Sequence, residues 1–226
     1  MRGRPVRRGS GEQAAGGVSG SAGSSATSCE TRQAILRAAR ERFVHYGYKK
    51  TTIDEIAAAA GVGKGTVYLY FDSKEEIMLT LARELKRNVT DQMRAIANSL
   101  VGPEEKLRRM ILARVFAVHD AINATAHGVE LVDEMMRPKV MECGMCEHEI
   151  QQALLAGVLR EGASEGRFTL LAEDEMHTAL LFSRAFLSFQ PPYVNHCLAG
   201  TSCPKELERQ VGEMAEFILA GLRRRA

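Results

Sequence analysis

The chain lacks any run of eighteen apolar residues, which excludes a transmembrane helix of ordinary length. Its arginine-bearing N-terminus has no apolar core segment behind it, so it does not read as a secretion signal, and a cytoplasmic location is expected. No strand pattern and no internal repeat stands out. The signatures of a nucleophile elbow, a P-loop, an H-E-x-x-H metal helix and a dinucleotide-binding glycine run are all missing, which leaves an enzyme with little support. There is no tryptophan, and the net charge is only +2, so charge alone does not announce a nucleic-acid partner.

Enough is present for a real core. Hydrophobic residues make up 45% of 226 residues, sufficient for one small and one larger domain. The densest information lies between Thr51 and Glu75. Thr52-Ile53-Asp54-Glu55 fits a capping box, in which the hydroxyl and the carboxylate each satisfy an open N–H at a helix start. Ile53, Ile56 and Ala57 then fall at helical spacing, and Ala57 to Ala60 carry little bulk. Gly61 is placed to end that helix, because a C-terminal cap needs the left-handed backbone. Gly63 or Lys64 opens a second short helix carrying Thr66, Val67, Tyr68, Tyr70 and Phe71, with Phe71 expected in the core and Tyr70 facing outward. Asp72 and Glu75 repeat the capping pattern for a long helix. Upstream, Ile35, Leu36, Ala39, Phe43 and Val44 mark one amphipathic helix over Thr31–Tyr46, closed by Gly47. Two short helices around a glycine turn, covered by a third, form a helix-turn-helix unit.

Residues 31–77 resemble the N-terminal domain of the TetR/AcrR family of transcriptional regulators. The resemblance rests on Ile35, Ala38, Phe43, Gly47, Thr51, Thr52, Ile56, Ala57, Gly61, Val62, Gly65, Thr66, Tyr68, Tyr70, Phe71, Lys74 and Glu75, with Gly63 standing where serine is commoner. It implies an all-α protein with a helical ligand-binding and dimerisation domain over 78–226. It also implies a double-stranded DNA operator as partner, a small-molecule effector, a homodimer formed through the last two helices, and no cofactor. The second short helix then enters the major groove. Thr66, Tyr68 and Tyr70 meet the DNA, Gly65 permits close approach, and Lys64 and Lys74 lie near phosphates; Thr51 and Thr52 offer hydroxyl and N–H groups to the backbone. The long helix, about Ser73 to Leu100, becomes the transmitter between operator and effector.

The basic excess sits at this end. Residues 1–30 carry four basic and two acidic groups, residues 31–77 eight and six, and residues 78–226 eighteen and twenty. Gly, Ser and Ala dominate Gly9–Ser28, so residues 1–30 are expected to be a disordered tail. Within it, Arg2-Gly3-Arg4-Pro5 resembles an AT-hook core, which lays arginine in a narrow minor groove; the same residues also read as a plain solvated tail.

Beyond the long helix, Pro103 opens a helix carrying Leu107, Met110, Ile111, Val115 and Phe116. Further helices are expected near 129–141, 148–161, 170–189 and 204–225. Leu170–Phe189 is apolar around much of its circumference, and Leu207, Val211, Met214, Ala215, Ile218, Leu219 and Leu222 form a broad stripe on the last helix, which suits pairing with a second chain. Met110, Phe116, His119, Met135, Met136, Phe182 and Phe186 are candidates to line an effector cavity, with plain core packing as the competing role. A separate possibility is a metal- or redox-sensing site at Cys143, Cys146 and His148, with His196, Cys197 and Cys203 in a second loop. One C-x-x-C pair is a weak signal, and cysteines that are free and incidental fit a reducing compartment equally.

Overall fold

The computed structural model describes residues 22–123, 125–137, 145–189 and 204–223. Among the described residues there are nine α-helices and no strand. They are α1 (Ala22–Tyr46), α2 (Ile53–Ala60), α3 (Lys64–Tyr70), α4 (Lys74–Ala97), α5 (Pro103–Asn123), α6 (Gly128–Met135), α7 (Met145–Ser164), α8 (Glu175–Ala185) and α9 (Pro204–Leu222).

Local chemistry accounts for the first helix boundaries. The α1 helix begins at Ala22, nine residues before the expected start, so 22–30 are helical and not a tail. Once the amphipathic stretch from Thr31 is helical, adding residues to its end avoids the nucleation cost, and the Thr31 hydroxyl donates back to the Thr27 carbonyl at 2.9 Å. Arg2, Arg4 and Pro5 lie outside the described residues. At the other end Gly47 takes φ +83°, and a Cβ there would sit 2.7 Å from a Glu130 oxygen, so both backbone and space require glycine. The capping box on α2 forms as expected: the Glu55 N–H donates to the Thr52 hydroxyl, and the Thr52 N–H donates to the Glu55 carboxylate at 2.8 Å. Gly61 closes α2 in the left-handed region. Gly63 precedes α3 without a side-chain cap. The cap of α4 is displaced by one residue from Asp72/Glu75. Ser73, in an extended conformation, accepts from the Glu76 N–H at 3.1 Å, and the Asp72 N–H donates to the Glu76 carboxylate at 2.6 Å.

Two cores result. The first joins Ile35, Leu36, Phe43, Ile56, Val67, Phe71 and Ile77, and it also takes Met78, Leu81 and, from α6, Leu131. The packing does not divide at 77/78: α4 runs through both cores, with Ile77, Met78 and Leu81 in the head and Val89 and Met93 in the second core. The second core contains Met93, Leu107, Met110, Ile111, Leu155, Leu159, Phe168, Phe182, Phe186, Val211 and Leu219. Gly162 makes room for its Phe168 ring, which lies 2.2 Å from where a Cβ would stand. The α9 helix packs along α5, and the ion pairs of Arg108 with Glu216 and Arg223 with Glu104 reinforce that contact.

The expected single helix over 170–189 is broken. Residues 171–173 form a 3-10 turn in which Ala172 has φ +52°. Asp174 then caps α8 by accepting from the Met176 and His177 N–H groups. A second 3-10 turn spans 187–189. The carboxylate cap competes successfully with the periodicity because it satisfies two open donors at once. The helix expected over 129–141 is shorter, at Gly128–Met135, and Pro138 lies outside the described residues.

Candidate DNA interface and effector core

Seven residues make α3, and their spacing divides them cleanly. Val67, and the following Phe71, are fully buried in the head core. Lys64, Gly65, Tyr68 and Leu69 face outward, with Tyr68 47% and Leu69 83% exposed. Thr66 is half-buried. Tyr70 is half-buried as well and packs against the head core, so of the two tyrosines Tyr68 is the more outward-facing, contrary to expectation. Val67 and Phe71 set the buried face; Tyr70, on one flank of it, packs against the head core, and Tyr68, on the other flank, is left exposed. Leu69 was missed by sequence reasoning. Its helical position, one residue from Tyr68 and four from Gly65, is the signal that locates it on the outward face, where an apolar side chain suits a thymine methyl.

Lys64 is exposed, and its ammonium bridges to Asp54 of α2 at 2.8 Å; this hydrogen bond raises its pKa. That pair fixes α3 against α2 at the turn. Beside them, Thr52 is exposed, but its hydroxyl is held by Glu55. The carboxyl of Glu55 is kept below its ordinary pKa by the Thr52 backbone N–H and then by the Thr52 hydroxyl.

Two expected phosphate contacts have other employment. Thr51 is 1% exposed, and its hydroxyl donates to the Gly47 carbonyl at 2.8 Å. The Lys74 ammonium donates to the carbonyls of Tyr48 and Thr51, each at 2.8 Å, and stands 4.4 Å from the centre of the Tyr48 ring. Burial holds its pKa below the usual lysine value, against the pull of Glu134, Glu130 and Glu55. Both side chains close the α1–α2 loop from inside, because loop carbonyls beyond a helix end need donors. The same loop reaches α6 where the Lys49 N–H donates to Glu130 at 2.9 Å, and in the turn before α6 the Thr125 hydroxyl donates to the Val44 carbonyl of α1. The α6 helix thus grips the head where α1 ends.

The candidate effector residues separate into two groups. Met110, Phe182 and Phe186 are buried in the second core, and Phe116 packs against it. His119 is buried, edge-on to Phe116 at 5.5 Å between ring centres, with Nδ1 3.3 Å from the exposed Asp120. Met135 and Met136 do not join them. Met135 packs against the head core and against Leu79 and Ala82, and Met136 is exposed, because α6 turns its apolar face toward the head. Sequence reasoning passed over Arg114, on the same helix as Met110. It is half-buried, donates to the Ser183 hydroxyl of α8, and is held below its ordinary pKa by burial. An arginine inside an otherwise apolar helix stripe was the available signal.

Cys143, His196, Cys197 and Cys203 lie outside the described residues. Cys146 is free and exposed on α7, with His148 exposed two residues on. No group of three or more His, Cys, Asp or Glu among the described residues is placed to hold a metal ion. Among the described residues no helix is long and apolar enough to cross a membrane.

A helix-turn-helix head carried on a second, all-helical core defines a DNA-binding regulator. Residues 35–81 match the family of bacterial regulatory proteins described as the tetR family. The chain is similar to the fatty acid metabolism regulator protein of Bacillus subtilis, 31% identical over 136 residues, covering 58% of this chain and 68% of the relative. It is also similar to the transcriptional activator FasR of Mycolicibacterium smegmatis, at 27% over 199 residues, covering 85% and 83% of the two chains. Among solved structures, the fatty acid degradation regulator FadR of Bacillus halodurans shares 26% identity and a TM-score of 0.60, over 86% of this chain and 97% of that one. The chain belongs to the tetR family of transcriptional regulators.

Proposed function

We propose that this chain is a dimeric repressor whose α3 reads an operator and whose second core takes a small fatty-acyl effector that releases the DNA. The observation that carries the first half is the outward face of α3, where Lys64, Gly65, Tyr68 and Leu69 project from a helix anchored by Val67 and Phe71. Tyr68 supplies a hydroxyl for phosphate and Leu69 an apolar contact for a base edge. Thr66 and Tyr70 contribute at the margins of this face, and Lys74 and Thr51 act beneath it. The names of two of the relatives, which concern fatty acid metabolism and degradation, support the effector class. Dimerisation through the last two helices is supported by exposed apolar side chains there: Phe217 is 78% exposed on α9, and Leu181 and Leu187 are exposed on and just after α8. A dimer presents two α3 helices to a two-fold site. Its occupancy over a promoter blocks polymerase, and no chemical step is assigned to the chain. Transmission runs through α4, which lines both cores, and α6, which packs on α5 and against the head, and the effector shifts the equilibrium by its differential affinity for the two states.

The test is selection of a binding site from random duplexes, followed by titration at fixed salt. Tyr68→Ala is expected to lose tenfold or more in affinity with stability changed by no more than about 0.5 kcal/mol. A mutant that binds as tightly as the parent at matched salt removes α3 as the reader. A monomer by light scattering at micromolar concentration removes the dimer, and a promoter reporter that falls on deletion of the protein reverses the sign.

A further inference from the structure

A carboxylate stands beside the outward face of α3, where repulsion from DNA phosphates makes it costly. Asp54, the second residue of α2, places Oδ2 2.8 Å from the ammonium of Lys64, the first residue of α3. The two side chains are 65% and 53% exposed. An ion pair so open to water contributes little to stability. The first turn of α2 suits an acidic side chain through the helix dipole, but the dipole does not require the link across the turn to Lys64.

The surface round the pair is bare. Gly61, Gly63 and Gly65 are exposed, and so is Ala58, one turn after Asp54 on α2. A Cβ added at Gly61 or Gly65 would meet nothing within 4 Å. Tyr68 lies one turn after Lys64 on the outward face of α3. The pair is thus a linked donor and acceptor standing clear of low backbone, at the leading end of α3 and in line with Tyr68. In a helix-turn-helix reader, the first residues of the second helix are the ones that reach base edges.

The pair has hydrogen-bonding capacity left over. The Lys64 ammonium donates to Oδ2 of Asp54, which leaves further N–H donors on the lysine and Oδ1 on the aspartate able to bond. A G·C pair shows the complementary pattern in the major groove: guanine O6 and N7 accept, and the cytosine N4 amino group beside them donates. Lysine suits the first and aspartate the second.

We propose that the Lys64–Asp54 pair reads a G·C base pair in each operator half-site, Lys64 donating to guanine O6 or N7 and Asp54 accepting from cytosine N4. The ion pair holds the two groups in register before DNA arrives, and the charge of Asp54 lowers affinity for duplex that offers phosphates alone. Lys64 then acts on a base edge, in place of the phosphate role implied by the family resemblance. The inference rests on α3 as the operator reader and adds a residue of α2 to it.

Site selection from random duplexes by the full chain, followed by titration of single-base variants of the selected site at fixed salt, tests it. The parent is expected to select G·C at a symmetry-related pair of positions, and A·T at either should weaken binding about tenfold. In Asp54→Ala and in Lys64→Met that penalty should fall to about twofold or less, with the penalties elsewhere in the site unchanged. Asp54→Asn, whose amide suits adenine, should move the preference toward A·T. Asp54→Ala should also bind non-operator duplex more tightly than the parent, and each variant should melt close to the parent, since the pair is exposed. Variants that change affinity by one common factor at every site, with the salt slope of Lys64→Met reduced by about one, place Lys64 on a phosphate and overturn the proposal. A selected site without G·C at such positions overturns it too, as does a lower melt of Asp54→Ala with base preference unchanged, which leaves Asp54 only the stabilisation of α2. Tyr68→Ala separates the two readings. If it binds every site as the parent does, α3 is not the reader and both fail. If it loses affinity while the Asp54 and Lys64 variants keep the parent's base preferences, only the base-reading pair fails.

Discussion

The two cores differ at one buried polar residue, Gln152, and at one arginine, Arg114. In the head, the buried Thr51 hydroxyl has a carbonyl partner, and the Lys74 ammonium has two at 2.8 Å. In the effector core, the buried Gln152 amide has no hydrogen-bond partner among the described residues, and the half-buried Arg114 guanidinium bonds the Ser183 hydroxyl. A domain that presents a fixed surface to DNA gains from satisfying everything inside it.

The contrast is sharpest where a deletion should cost most. Phe43→Ala empties the centre of the head, where the ring is 2% exposed and edge-on to Tyr48 at 5.3 Å; a loss of about 3–5 kcal/mol is expected in denaturant melts, with operator binding lost as well. A smaller loss would mean that the head tolerates voids as a guest site does. Next is Lys74→Met. If the ammonium closes the α1–α2 loop, the change costs about 2–3 kcal/mol and weakens DNA binding through the fold; an unchanged melt with weaker DNA binding would return Lys74 to the phosphates. Thr52→Ala removes the α2 cap and is expected to cost about 1 kcal/mol, with Thr52→Ser recovering most of it in the same melts.

The smallest effect concerns pH in the effector core. His148, although exposed as a residue, has its imidazole pKa lowered from 6.5 by partial withdrawal from water and then by Arg114 and Lys86. A folded-state pKa below the unfolded one disfavours charging in the fold. The associated stability is complete above the unfolded value near 6.5 and is lost as pH falls through the lower folded value. His148→Gln should therefore flatten the melting temperature between pH 7.5 and 5.5 by a small amount. A curve parallel to the parent would show that the charges of Arg114 and Lys86 do not reach His148.

What could be read without the fold was local. The capping box at Thr52 and Glu55, the glycine stops at Gly47 and Gly61, and the inward period of Val67 and Phe71 all depend on residues within a few positions of one another. The identity of the helix-turn-helix head followed from them. The failures share another cause. Thr51 and Lys74 have the chemistry of phosphate ligands, but Lys74 meets carbonyls 23 and 26 positions away, which no spacing rule encodes. Met135 has the character of a pocket residue, yet the orientation of α6 carries it to the head.

The sequence by itself determined that the chain is helical, where its DNA-reading unit lies, and which residues can cap and stop its helices, because those depend on backbone donors and on turns only a few residues long. The tertiary structure alone decided whether a polar side chain faces outward, closes a loop or is buried in the core. Tyr68 and Tyr70 differ by a rotation about one short helix, and Arg114 and Ser183 meet across 69 residues of chain. Such roles are set by which helix faces pack together, and that is a property of the whole fold.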